Sequence, residues 1–390
     1  MTNWRSVPTP VLESAFSGAL AVTTEGDGIR PLRLPPASLR RAPATLALMA
    51  EFTSGVRLRL VTDADRLRVT AAFTRYVMAH LDGAVSRAEL LAEIDGEIVD
   101  RAVADPTGLV FERTDVPLER GPDVVSTLEL HLGPADTPRE VVLWLPADAG
   151  VRILAVEATA DAVPAPPTGR PRWVHHGSSI SHGGDAADAR STWPAQVGRA
   201  LGLDWTNLGF GGNAMIDPPT ARAIAATPAD VITLKFGINI VTGDAMRRRV
   251  FEPALHGFLD TIRDAHPDVP IVVISAIACP GFEELPGPRR IVDGHLTGTP
   301  RPLPEGAGAL SLQDTRDAIA EVLAARADDA RLWGMDGRTL LGPDDAHHLY
   351  DDLHPDPAGY DLIARRFVAF ARDPAHPLGQ AFALACAAVG

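Results

Sequence analysis

Three groups far apart in the chain have the types and neighbours that acyl transfer requires. Ser179 follows a short apolar run in Trp173-Val174-His175-His176-Gly177-Ser178-Ser179-Ile180-Ser181. Asp351 and His354 stand three residues apart in Tyr350-Asp351-Asp352-Leu353-His354-Pro355. A hydroxyl is a weak nucleophile until an imidazole takes its proton, and the imidazole needs a carboxylate to fix its tautomer. The three-residue offset lets Asp351 reach the imidazole N–H, whereas Asp352 reads as a solvated loop charge. Two further segments offer donors to a developing oxyanion. Paired glycines in Gly209-Phe210-Gly211-Gly212-Asn213 leave a backbone N–H unshielded, and Gly237-Ile238-Asn239 supplies a side-chain amide. Each has a plainer use as well: the glycines suit a turn with positive φ, and Asn239 suits a helix cap.

The elements that would hold these groups change character near residue 165. Up to about residue 160 the pattern is β. Val56–Leu60, Leu67–Thr70 and Leu128–Leu132 alternate polar with apolar residues, and Ala88–Ile94, Glu97–Val103, Val141–Leu145 and Arg152–Glu157 are further strand candidates. Asp95-Gly96 between two of them signals a tight hairpin. Short alternating strands at this spacing predict an antiparallel β-sandwich over residues 1–161. Residues 162–171, with four prolines, predict a stiff linker to a domain over 172–390.

Beyond the linker, strands and helices alternate. Strands are expected at 172–176, 204–209, 231–236, 269–277 and 331–335. Helices are expected at 191–202, 218–227, 244–266, 310–327 and 357–371, the third with Met246, Val250, Leu255, Leu259 and Ile262 as its apolar set. Such alternation implies a parallel sheet covered on both faces. Ligands of such sheets bind beyond the carboxyl ends of the strands. Ser179, Gly209–Asn213, Gly237–Asn239 and Asp351–His354 all fall at such ends. Residues 280–309, rich in Gly and Pro, are too long for an ordinary connection and suggest a lid or binding loop.

In this order, over residues 173–370, the four segments resemble the blocks of the GDSL or SGNH hydrolase superfamily, whose marker residues are Ser, Gly, Asn and His. The resemblance implies an α/β, three-layer, flavodoxin-like domain. It implies Ser179 as nucleophile, His354 as general base and Asp351 as its orienting carboxylate. The oxyanion would be held by the backbone of Ser179, by Gly212 and by Asn239. Ser178 replaces the usual Asp before the nucleophile, and Ile240 the usual Asp after the block-three Asn. The first change leaves Ser181 as a rival, with the offset from Gly177 favouring Ser179. The Gly-Ser-Ser-Ile-Ser-His variant behind a β-sandwich resembles a subgroup common in actinobacteria. That subgroup implies an O-acyltransferase working by a ping-pong route, with an acyl-coenzyme A as donor and a sugar hydroxyl of a glycosylated natural product as acceptor. An esterase acting on carbohydrate or other small esters, and a sugar-binding protein without activity, are the alternatives.

Composition bounds the rest. The chain has 390 residues, 46% of them hydrophobic, enough for two cores. A formal charge of −14 argues against nucleic acid or an anionic membrane as partner. No apolar run approaches membrane-spanning length, and only Cys279 and Cys386 are present, which predicts a cytoplasmic protein without disulfides. His175-His176 and His347-His348 lack the convergent spacing of a metal site, so no metal and no bound cofactor are expected. His182 is a neighbour of the nucleophile with either a pocket-shaping or a solvent role. Arg247-Arg248-Arg249 reads as the wet side of a helix, with coenzyme phosphates as the sharper use.

Overall fold

Apolar–polar alternation builds the first part of the chain, and buried apolar runs flanked by amphipathic helices build the second. The computed structural model describes residues 3–77, 88–105, 107–111 and 118–388. It divides into Met1–Thr168 with Asp188–Arg190, and Gly169–Ala187 with Ser191–Gly390.

The first unit holds two sheets. One runs in the order Glu119–Arg120, Gly108–Phe111, Arg66–Val77, Ala149–Ala158, Gly28–Leu32, Ala21–Glu25, with Arg5–Ser6 and Val125–His131 paired off this path. The other runs Ala162–Pro164, Arg57–Thr62, Arg139–Trp144, Ala88–Ile94, Glu97–Ala104, with Phe16–Ser17 beside Arg57–Thr62. Asp95 and Gly96 both have positive φ, the geometry of a two-residue hairpin turn. One apolar cluster draws Leu58, Leu60, Leu90 and Leu143 from one sheet and Val69, Phe73, Val151 and Ile153 from the other.

Three features depart from the sequence expectation. Arg66–Val77 and Gly108–Phe111 pair in parallel, so the unit is not wholly antiparallel. Ala162–Pro164, assigned to the linker, pairs with Leu60–Thr62 as an edge strand, a place that tolerates proline. Short helices at Thr9–Ala15 and Ala44–Glu51 were not anticipated. The second is tied at its carboxyl end by Arg33, which is buried and donates to the Met49 and Phe52 carbonyls at 2.6 and 2.5 Å.

The second unit is built on five strands: β1 (Arg172–Gly177), β2 (Asp204–Gly209), β3 (Val231–Lys235), β4 (Ile271–Ile274) and β5 (Leu332–Met335). All pair in parallel, in the order β2-β1-β3-β4-β5. This is the flavodoxin-like order, and its crevice opens where the winding reverses, beside β1 and β3. The helices are α1 (Ser179–His182), α2 (Trp193–Ala200), α3 (Pro218–Ala225), α4 (Ile238–Thr242), α5 (Arg248–Ala265), α6 (Leu312–Ala324), α7 (Pro357–Arg372) and α8 (Pro377–Ala387).

Adjacent residues of β1 point to opposite faces, and their neighbours show what covers each. Trp173 and His175 pack on Trp193 of α2, and Trp173 also meets Phe367 of α7 and Phe382 of α8. His176 packs on Phe258 of α5. The domain therefore has a sheet between two helical layers.

Helix α5 begins four residues later than expected because Asp244 takes a positive φ, which no helix interior accepts. Its buried face is accordingly Phe251, Leu255, Phe258, Leu259 and Ile262, while Val250 is 53% exposed. Met246 precedes it. Helix α8 has no counterpart in the sequence expectation, although Leu378, Ala381, Phe382 and Ala385 are buried at helical spacing.

Gly209 ends β2 where the α1 backbone crosses it. A Cβ there would overlap the His182 nitrogen and the Ser181 carbonyl carbon. Gly209→Ala should lower stability by about 1–3 kcal/mol, read from the midpoint of urea unfolding. An unchanged midpoint would mean that α1 does not rest this closely on β2.

Candidate active site

β1 delivers the chain to α1 through Gly177, where a side chain would overlap the Ser181 hydroxyl. Ser178 then caps α1, its Oγ accepting from the Ile180 N–H at 3.3 Å. A short hydroxyl thus fills the place where the related families carry an aspartate. Between residues 173 and 183, every residue is buried except Ser179.

Ser181 is taken out of contention by its surroundings. Its Oγ lies 2.8 Å from His175 Nε2, and His175 Nδ1 lies 2.7 Å from Thr233 Oγ1. All three are fully buried. Burial, followed by the His176 and Lys235 charges, drives the basicity of His175 well below the ordinary histidine value. This second Ser–His contact is a neutral bolt between α1, β1 and β3, with no access for a substrate.

Ser179 Oγ lies 2.8 Å from His354 Nε2, and His354 Nδ1 lies 2.7 Å from Asp351 Oδ2. The other carboxylate oxygen of Asp351 accepts from the Leu353 and His354 backbone N–H groups, at 3.0 and 2.6 Å. Both oxygens are engaged, so the carboxylate cannot turn away from the ring. Burial disfavours the His354 imidazolium, but the hydrogen bond and charge of Asp351, with the charge of Asp185, outweigh it, and its pKa is raised. Burial likewise opposes the Asp351 carboxylate, and the His354 hydrogen bond and charge prevail, so its pKa is lowered.

The candidate oxyanion donors come from the loops after β2 and β3, the two neighbours of β1. Phe210 N–H donates to the Gly177 carbonyl at 2.9 Å, which holds the Gly209–Asn213 loop against the start of α1. Gly212 has φ of +68° with open space where a Cβ would be. Gly237, at φ of +128°, makes the sharp turn into α4 that a residue with a side chain would resist. Asn239 then places Oδ1 to accept from the Ala214 N–H at 3.0 Å. That bond orients the amide and ties the two loops together. Ile240, in the place of an aspartate, is buried core.

Asp352 is not the solvated charge expected of it. It adopts φ of +65°, its Oδ2 accepts from the Leu296 N–H at 3.0 Å and faces His295 Nδ1 at 3.2 Å, and its carbonyl accepts from Cys279 Sγ at 3.1 Å. It fastens the Asp351–His354 loop to the 280–309 segment. Nothing in the sequence marks Asp185 or Tyr350 as site residues, yet the Tyr350 hydroxyl donates to Asp185 at 3.0 Å and its ring lies 6.4 Å from that of His354. His182 is buried at the end of α1.

Among the described residues, no three His, Cys, Asp or Glu side chains gather to hold a metal ion. His175 and His176 face opposite layers, and His348 pairs with Asp356 at 3.2 Å. No helix among the described residues is long and apolar enough to cross a membrane. Arg247 pairs with Asp244, and Arg248 with Glu252 and Glu321, while Arg249 is exposed.

A serine hydroxyl hydrogen-bonded to an imidazole that a carboxylate holds, with candidate amide donors on the two neighbouring loops, is an arrangement that serine acylhydrolases use. Residues 176–362 match the model of the GDSL-like Lipase/Acylhydrolase family. Among solved structures, Salicylyl-Acyltransferase SsfX3 from a tetracycline biosynthetic pathway is 27% identical, with TM-score 0.76 over 93% of this chain and 95% of that one. A protein described as a GDSL-like lipase from Bacteroides ovatus is 19% identical, with TM-score 0.68 over 95% and 97%. A family two carbohydrate esterase from Cellvibrio japonicus is 14% identical, with TM-score 0.57 over 98% and 99%. The last two share the fold. No curated protein matches the chain by sequence.

The His354 environment makes a directional prediction. Its imidazole, followed by NMR through a pH titration, should deprotonate above the ordinary histidine value, because the folded site favours the charged form. Asp351→Asn removes the group that raises it, so the midpoint should move to lower pH. A midpoint that stays in place in Asp351→Asn would break the assigned coupling.

Proposed function

We propose that the protein is a serine-dependent O-acyltransferase that works by a ping-pong route, moving an acyl group from coenzyme A to a sugar hydroxyl of a glycosylated polyketide. The unbroken hydrogen-bond line from Ser179 through His354 to Asp351 carries the reading. The likeness to a salicylyl-acyltransferase supports a salicyl group as acyl cargo and a tetracycline glycoside as acceptor.

In this reading His354 Nε2 takes the proton of Ser179, whose oxygen attacks the thioester carbonyl. The oxyanion is received by the Ser179 and Gly212 backbone N–H groups and the Asn239 amide. Collapse breaks the C–S bond, and His354 returns its proton to the leaving thiolate. A sugar hydroxyl then gives its proton to His354 and attacks the Ser179 ester. The second collapse breaks the bond to Ser179, which regains its proton, so the net change is thioester plus alcohol to ester plus thiol.

An esterase would use the same groups with water as the second nucleophile, and the two readings part only at the acyl-enzyme. A non-catalytic sugar-binding protein would have no use for an oriented, solvent-reachable Ser–His pair. The first unit, with two sheets around a common apolar cluster, we read as a β-sandwich that completes the protein structurally. No row of exposed aromatic residues among the described ones supports a carbohydrate platform.

Incubation with acyl-coenzyme A should add one acyl group to Ser179 by intact mass, and a glycosylated acceptor should discharge it as the acylated glycoside. Ser179→Ala should abolish the adduct while Ser181→Gly keeps it. Asn239→Ala should lower turnover by about 10²–10³. Free acid as the sole product would favour the esterase, and no adduct from any activated ester would sink both.

A further inference from the structure

The 280–309 segment is anchored to both halves of the proposed site. Arg289 N–H donates to the Thr242 carbonyl at 2.9 Å, at the end of the helix that carries Asn239. The chain lies so near that helix that a Cβ on Gly287 would overlap the Val241 carbonyl oxygen. Arg290–Val292 then pairs with His295–Thr297 across Asp293-Gly294. The returning strand is held by the Asp352 carboxylate, beside Asp351. This hairpin therefore spans from the Asn239 helix to the Asp351–His354 loop, with Arg289 at its root.

Neighbouring arginines are committed. Arg301 and Arg247 both bind Asp244, at 2.6 and 2.5 Å, and Arg290 Nε donates to the Gly298 carbonyl at 2.9 Å. Arg289 is exposed, and no carboxylate pairs with it among the described residues. Its charge also bears on the centre: at His354, burial and Arg289 act against protonation, while Asp351 and Asp185 favour it. Arg289 is thus a solvent-facing positive charge near the site in a chain of net charge −14. An anion on the substrate would compensate it. Two residues further on, in the strand Arg290–Val292, Ile291 is 65% exposed.

We infer that Arg289 binds an anionic group, phosphate or carboxylate, on the acyl donor, with Ile291 meeting the apolar stretch next to it. This inference rests on the serine acyl-transfer reading. A coenzyme A thioester has both features, its phosphates and, next to the diphosphate, the gem-dimethyl group of its pantetheine arm. A carboxylate on the acyl group itself would be recognised by the same guanidinium.

The test compares paired donors on the full chain. In the wild type, kcat/KM should favour acyl-coenzyme A over the same acyl-pantetheine, which lacks the nucleotide phosphates. In Arg289→Gln that ratio should fall about tenfold, with partial recovery in Arg289→Lys. If only the preference for 4-nitrophenyl hemisuccinate over 4-nitrophenyl acetate is lost, the anion lies on the acyl group. The acid limb of the acetate pH profile should also move to higher pH in Arg289→Gln. A variant that keeps both ratios overturns the inference. A wild type that uses the nitrophenyl esters but no thioester removes the transferase reading and leaves the hemisuccinate arm to decide on Arg289. A wild type that uses none of them removes the serine reading and this inference with it.

Discussion

A hydrogen bond of 2.8 Å joins Ser179 to His354 across 175 residues of chain. Such a contact has little strength of its own, and loop entropy works against it. It persists because its two ends are held independently. Ser179 stands on a helical turn pressed against two strands, where glycines at 177 and 209 permit an approach that any side chain would block. His354 is held by an aspartate whose two oxygens are both occupied, three bonds in all, two of them to backbone. The parallel sheet supplies the common frame, since both neighbours of β1 send their following loops to the same edge.

The two Ser–His pairs in this domain show that contact distance does not define a catalytic site. Ser181 and His175 are as close as Ser179 and His354, at 2.8 Å. The difference lies in what surrounds each ring. His175 meets Thr233, a neutral partner, and burial keeps it unprotonated. His354 meets a carboxylate that stabilises the charge it would gain, and its serine reaches solvent. The buried pair still serves the exposed one, because it clamps the turn on which Ser179 sits.

The sequence made the parallel sheet legible because strands buried on both faces read as largely apolar runs, unbroken at Ile271–Ile274. Helix α8 was hidden because alanine-rich sequence offers little contrast between its buried and exposed faces. The sequence places Leu255, Leu259 and Ile262 on the buried face of α5 but starts the helix too early, because the turn at Asp244 depends on a backbone conformation that residue type barely signals. Ser179, Asp351 and His354 stand out through type and spacing, and the offset from Gly177 favours Ser179 over Ser181, whose buried contact with His175 is visible only in the structure. Asp352 and Arg289 were illegible for a different reason. Each acquires meaning only from a segment distant in sequence, and a charged residue in a loop looks the same whether it is solvated or anchored.

That long-range anchoring bears on the division between hydrolysis and transfer. In the proposed reaction the acyl-enzyme would be discharged by whichever nucleophile reaches it, so the elements around the serine matter more to the outcome than the groups that make the ester. The 280–309 segment is fastened at the Asn239 helix and at Asp352, next to the carboxylate that orients His354. In the proposed reaction a donor gripped at the root of this hairpin would lie between these two anchors. Departure of the donor's leaving group would release that grip. In the proposed transfer the same hairpin would meet donor and acceptor in turn.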